Sequence, residues 1–190
     1  WRFGDGDELC SFSTVGGESG EWCGTGWTGQ PAIFDYDDRR WVVVGSFAPA
    51  VHFLDARTGE RMLADFGVAD LVKGSVPIDP DGFPLVYFGS RDGFFRIVSF
   101  DDASPTELWR ISADDVEPTL WNDDWDGTAL VVDDHLFVGG ENSNLHIIRL
   151  HRRTGADGLV RVDPELFFHV PGWDDELLEV LLDEIGRAHV

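Results

Sequence analysis

The stretch 121–127, WNDDWDG, gathers the groups in this sequence best suited to chemistry. Asn122, Asp124 and Asp126 carry the oxygen donors that Ca²⁺ takes six to eight at a time. Their spacing is not that of an EF-hand, and one loop with three such residues cannot complete the shell, so they are only the start of a metal site. Trp121 and Trp125 offer flat faces that can stack on a planar cofactor or a sugar ring, beside carboxylates that can hold sugar hydroxyls. Three other stretches have a related make-up: WCGTGW at 22–27, DLVK at 70–73 and GWDDE at 172–176. Together the four hold five of the eight Trp, so the tryptophans concentrate in connections and not in strands. One reading makes these loops a ligand site held by a rigid scaffold. The competing reading has the Trp side chains plug apolar wedges between packed sheets.

The candidate ligand-binding set is Trp27, Gln30, Lys73, Ser75, Trp121, Asn122, Asp124, Trp125, Asp126 and Trp173. Gln30 and Ser75 stand at the head of expected strands. Lys73, the sole lysine, either meets an anionic ligand or one of the acids, or remains a solvated charge. His52, His146 and His169 fall on expected strands, where a hydrogen-bonded structural role is the default. No nucleophile elbow, P-loop or dinucleotide-binding glycine pattern is present, and no catalytic residue is assigned.

The elements that must position these loops repeat. Aligning Gly45, Gly89 and Gly139, which are 44 and 50 residues apart, brings their flanks into register. Before the glycine stand VVV, VYF and LFV; six to nine residues after it stand VHFL, FRIV and LHII. Such a period signals a propeller or another repeat array. Each unit reads as four short strands joined by tight turns, over 29–66, 74–111 and 127–170. Strand 41–44 is apolar at every position, which requires cover on both faces. The expected fold is therefore all-β, a propeller fragment of about three four-stranded blades. Residues 1–3 align with 109–111 as the end of a preceding blade, 171–183 open a following one, and 4–28 read as a long irregular connection carrying Cys10 and Cys23.

The segment 54–60, LDARTGE, resembles the L-D-x-x-T-G-[EK] signature of quinoprotein-type (pyrroloquinoline-quinone-like) β-propeller repeats. The strand and turn at 42–46 and the ELWR segment at 107–110 resemble that family's V-x-x-G-S turn and Trp-bearing closing strand. The resemblance spans about 29–170 and departs at 103–105, where Ala-Ser-Pro replaces the T-G turn, and at Leu63 and Phe167 or Phe168, which stand where the docking Trp is expected. It implies seven or eight blades in the whole ring, often outside the cytoplasm, and two functional classes. One is a binding or scaffold module taking a small molecule, a sugar or a protein at the mouth of the channel. The other is a quinone- and Ca²⁺-dependent alcohol or sugar dehydrogenase, the only case in which a quinone and Ca²⁺ would be cofactors. The adjacent Cys-Cys pair of such dehydrogenases is missing here.

A net charge of −22, from 36 acidic and 14 basic residues, argues against a nucleic-acid partner, since phosphate contacts need a basic face. No apolar run is long enough to span a bilayer. Cys10 and Cys23 are either a disulfide, which would imply an oxidising compartment, or two free thiols. Residues 184–190, EIGRAHV, match one reading frame of a common short-read sequencing adapter and are set aside as a non-native tail.

Overall fold

The computed structural model describes residues 1–4, 9–15, 17–25 and 29–188. β1 (Cys10–Val15) and β2 (Glu18–Cys23) form an antiparallel hairpin, with Cys10 opposite Cys23 and the two disulfide-bonded. Within the connection expected to be irregular, these two strands therefore form an ordered ribbon, closed at its base by the disulfide. A first sheet follows in the order β3 (Ala32–Tyr36), β4 (Arg39–Ser46), β5 (Ala50–Asp55) and β6 (Phe66–Gly67). The second has three strands, β7 (Leu85–Gly89), β8 (Phe94–Ser99) and β9 (Thr106–Ser112). The third is β10 (Leu130–Val132), β11 (His135–Gly139), β12 (Asn144–Arg149) and β15 (Glu165–Pro171). Between its last two strands lies a small ribbon of β13 (Arg153–Thr154) and β14 (Val160–Arg161). Helix α1 (Asp175–Ala188) closes the described chain, running through both the expected opening of a further blade and the segment read as a tail.

Local chemistry explains both the turns and the departures. Asp37-Asp38 and Asp133-Asp134 join their strands with φ of 49° and 57°, and of 48° and 62°. Two consecutive left-handed residues make the turn that matches strand twist, and Asp tolerates that conformation. The second unit lacks the expected first strand at 75–78, which is reduced to a single bridge between Ile78 and Val86. Pro77 has no N–H to give the ladder, and only its carbonyl is used, by Tyr87 N–H at 3.1 Å. The expected closing strand of the first unit, 61–66, shortens to β6 plus a bridge between Leu54 and Arg61. The chain bends between them, where Asp65 pairs with both Arg61 (3.1 Å) and His52 (3.0 Å).

The three large sheets stack face on face as blades. Trp41, Val43, Val51 and Phe53 of the first pack against Val86, Phe88, Val98 and Phe100 in and beside the second. On its other side the second packs Leu85, Tyr87, Phe95 and Ile97 against Val131, Leu136, Val138 and Ile148 of the third. Alternate residues of one strand thus enter two different cores, and β7 is buried at every position. Full burial of one such side chain contributes about 1.5–3 kcal/mol. The far face of the first sheet is covered by residues 1–3: the Phe3 ring lies 4.8 Å from His52, and the Trp1 indole donates to Ala56 O at 2.9 Å. On the third sheet, Leu130, Val132, Leu145, Phe168 and Val170 remain exposed.

The loops leading into each unit hold the stack together at one end. A Cβ on Gly29 would lie 2.6 Å from Gly74 O, and one on Gly74 would lie 2.7 Å from Asp126 O, so successive lead-in loops touch backbone to backbone. The residue two places before Gly74, and the one two places before the next corner, Gly127, each plug the repeat glycine of the preceding unit. Val72 sits on Gly45 and Trp125 on Gly89, where an added Cβ would lie 2.3 Å from Val72 Cγ1 and 2.1 Å from Trp125 Cβ. Nothing lies within 4 Å of the same position at Gly139. Gly89→Ala is therefore expected to cost about 1–3 kcal/mol in a urea unfolding midpoint, as overpacking does. Gly139→Ala should stay within about 0.5 kcal/mol of the parent; equal costs at the two positions would contradict this packing.

Candidate functional site

The turns that follow the repeat glycines meet the lead-in loops at this same end. Phe47, Arg91 and Glu141 each stand two residues after their glycine, and their backbone N–H groups make quasi-equivalent bonds: to Gly24 O (2.8 Å), Leu71 O (3.0 Å) and Asp124 O (3.0 Å). The disulfide-bonded hairpin is fixed beside them. Ser11 Oγ donates to Phe47 O (2.5 Å), Ser13 Oγ donates to Asp70 Oδ1 (2.7 Å), and Thr25 bridges Ser46. Between hairpin, turns and loops opens a cleft of about 990 Å³. Phe12, Ser13, Thr14 and Gly17 line it from the hairpin, Arg91 and Glu141 from the turns, and Asp70, Lys73, Trp121, Asn122 and Asp124 from the lead-in loops. Phe12 is 77% exposed and Trp121 82%, so both present most of their rings to solvent at this cleft. Trp121 holds φ of 81°, a left-handed backbone costly for a large side chain.

Both cations of its floor lie against carboxylates. Arg91 Nη2 lies 2.5 Å from Asp124 Oδ2, and its Nη1 lies 3.7 Å from Asp126 Oδ2. Lys73 Nζ donates to Asp126 Oδ2 at 2.6 Å. Asn122 Nδ2 donates to both Asp124 Oδ2 (2.8 Å) and Glu141 Oε2 (3.0 Å), tying loop to turn. Burial is the largest influence on Asp124 and raises its pKa. Arg91 and Asn122 pull it down, Glu141 and Asp126 push it up again, and the balance is about 6.

These contacts correct several expectations. Asn122, Asp124 and Asp126 do not converge on a cation, because Asp124 faces Arg91 and Asp126 faces Lys73. Asn122 turns its amide nitrogen toward the carboxylates, and its oxygen accepts from Asp123 N–H. The residues present do not fit a bound Ca²⁺, and among the described residues no group of three or more His, Cys, Asp or Glu is placed to hold a metal ion. Trp125 offers no face to a ligand. It is fully buried, donates its indole N–H to Gly93 O (3.1 Å), and packs 5.6 Å from Phe95 and 4.7 Å from His146. At this position the wedge-plugging alternative holds. Gln30 and Ser75 bind each other, Gln30 N–H to Ser75 Oγ at 3.1 Å, and neither lines the cleft. Trp173, just ahead of α1, does not line it either, and Trp27 lies outside the described residues.

Lys73, Trp121, Asn122 and Asp124 are thus the expected residues brought together, with Asp126 behind Lys73. The sequence reading missed Phe12, Ser13, Thr14 and Gly17, whose hairpin is polar and Gly-rich, and also Arg91 and Glu141. The repeat alignment carried the signal for the last two, since both occupy the same place after the aligned glycine.

No family profile matches the chain, and no curated protein matches it. Among solved structures it is similar to BamB from Moraxella catarrhalis (17% identity, TM-score 0.34), over 76% of this chain and 57% of that one. It is also similar to Kluyveromyces lactis Hsv2 (12% identity, TM-score 0.45), over 74% of this chain and 47% of that one. The chain thus spans about half the length of these structures. The assignment of stacked propeller blades rests on its own three sheets. No helix among the described residues is long and apolar enough to cross a membrane.

The position of Asp124 has a pH consequence. Its carboxyl titrates higher in the fold than the ordinary 3.8, so its ionisation opposes folding. This contribution is absent below about pH 4 and grows to about 3 kcal/mol at most as pH rises through 6. A ¹³C-detected titration of the Asp124 carboxyl should give a midpoint near 6; a midpoint at or below 4 would show that the Arg91 ion pair outweighs burial.

Proposed function

We propose that this chain is part of an extracytoplasmic β-propeller that acts as a binding module, holding a ligand or partner protein in the cleft between its hairpin and its lead-in loops. The observation that carries this reading is the cleft itself. Two large aromatic side chains stand exposed in one concavity, on a floor whose Arg91 and Lys73 are already paired with carboxylates, above a stack of rigid sheets. Exposed aromatic residues over such a scaffold are the usual anchors of recognition. Their energetic value is realised only when something covers them. The Cys10–Cys23 disulfide supports the compartment, since such bonds persist where the surroundings are oxidising.

The reading assigns no reaction. Asp124 is paired with Arg91 and Asp126 with Lys73, so the dehydrogenase alternative draws no support from these two carboxylates.

Selection of binders from a random peptide library and from a glycan array, using the disulfide-bonded chain, tests the proposal. Phe12→Ala with Trp121→Ala should weaken the selected binders by at least about tenfold, as truncating interface anchors does, with no loss of the cooperative melt. Binders indifferent to both substitutions, or no binder from either collection, would overturn the reading.

A further inference from the structure

The geometry points to a basic segment of a polypeptide as the occupant of this cleft, with an Arg or Lys side chain held against Phe12 and Trp121 and facing the carboxylates of Asp70 and Glu141. The inference rests on the binding-module reading and narrows it to one chemical class. Three observations carry it. First, the cleft's cations are already taken: Arg91 and Lys73, only 11% and 16% exposed at their side chains, lie against Asp124 and Asp126. An anionic ligand would have to compete with carboxylates that are 5% and 16% exposed and already in contact.

Second, the lining carboxylates that remain are hydrogen-bonded but lack a cation. Glu141 accepts from Asn122, and Asp70 accepts from Ser13 and from the N–H of Leu71. Neither has an ion pair among the described residues. With Asp70, Asp124, Asp126 and Glu141 set against Arg91 and Lys73, the site is net negative, within a chain of net charge −22. The field therefore attracts cations and repels anions.

Third, the cleft combines the two features that hold a flexible cation. An aromatic face attracts a guanidinium or ammonium through its quadrupole, and both exposed rings line the same concavity as the unpaired acids. At about 990 Å³ the cleft is at the upper end of small-ligand pockets, which suits several residues of a chain better than an isolated ion.

The test uses the disulfide-bonded chain, ¹⁵N-labelled, titrated with a capped five-residue peptide carrying Arg between glycines. Two control peptides replace the Arg with citrulline, its neutral isostere, or with Asp. The Arg peptide should shift the Trp121 indole and the Phe12 and Glu141 amides, and should bind at least about fivefold more tightly than either control. Glu141→Gln should weaken the Arg peptide about three- to tenfold and leave the citrulline peptide unchanged, and Trp121→Ala should weaken the Arg peptide by a similar factor. Equal binding of Arg and citrulline peptides, preference for Asp, or shifts confined to residues outside the cleft would overturn the inference. If the library or glycan binders still depend on Phe12 and Trp121 in that event, the cleft reading stands and only the ligand class falls. If they do not, both fall together.

Discussion

A sheet buried on both faces cannot exist alone, and the second sheet of this chain is such a sheet. Its strand β7 sends Leu85 and Tyr87 one way and Val86 and Phe88 the other, into separate cores shared with the first and third sheets. That requirement fixes the neighbours face to face, and it fixes where the connections go. Each lead-in loop passes from one sheet to the next at the same end, close enough that glycine corners of successive loops touch. The plugs on Gly45 and Gly89 follow from this close approach: a side chain at either position would push the adjacent unit away. The cleft is a by-product of the same geometry, since loops and turns converge where the sheets fan from a common line.

Electrostatics reinforces the stack at both ends without being its source. Arg152, only 4% exposed at its side chain, reaches from the third unit to Asp79 (2.5 Å) and Asp81 (2.7 Å) of the second, and to Asp134 (2.9 Å) of its own. Tyr87 donates to the same Asp79 oxygen. Arg91 makes the corresponding crossing at the cleft end, from a turn of the second unit to the lead-in loop of the third. Removing one member of such a buried pair strands the other in low dielectric, whereas the intact pair itself adds little net stability. These ion pairs are better understood as fixing how adjacent units sit than as holding them together. That role also explains why Asp124 keeps an elevated pKa beside an arginine. The loop is placed by packing of Trp125, one residue away, and the carboxylate is buried where that packing puts it.

The repeat was legible in the sequence because sheet-on-sheet packing writes itself as apolar strands at a fixed distance from a glycine. The tight turns were legible because such turns, as at Asp133-Asp134, demand residues that tolerate left-handed backbone. The first strand of the second unit was overestimated, since an apolar pattern does not report that Pro77 removes a donor from the ladder. The 9–25 region was illegible for the opposite reason: its strands bury little, so they carry no apolar pattern, and a cross-strand disulfide supplies the order instead. The metal reading failed on a long-range contact. Asp124 and Arg91 stand 33 residues apart, and only alignment of Phe47, Arg91 and Glu141 as equivalent turn positions would have brought the guanidinium to the WNDDWDG loop.

That set of equivalent positions shows what the repeat holds constant and what it lets vary. What the three share is a backbone contact: one N–H donates to a lead-in carbonyl, and any residue except proline can supply it. The glycine two residues earlier has no such freedom at Gly45 and Gly89, where the neighbouring unit fills the space a Cβ would need. The side chain two places later meets no such shared restriction, and each unit uses it differently. In this chain the three positions hold a buried aromatic ring, a guanidinium paired with Asp124 and a carboxylate that lines the cleft. The contacts of the proposed ligand are thus to be sought at Glu141 and the lead-in loops beside it, and not in the strands that carry the repeat.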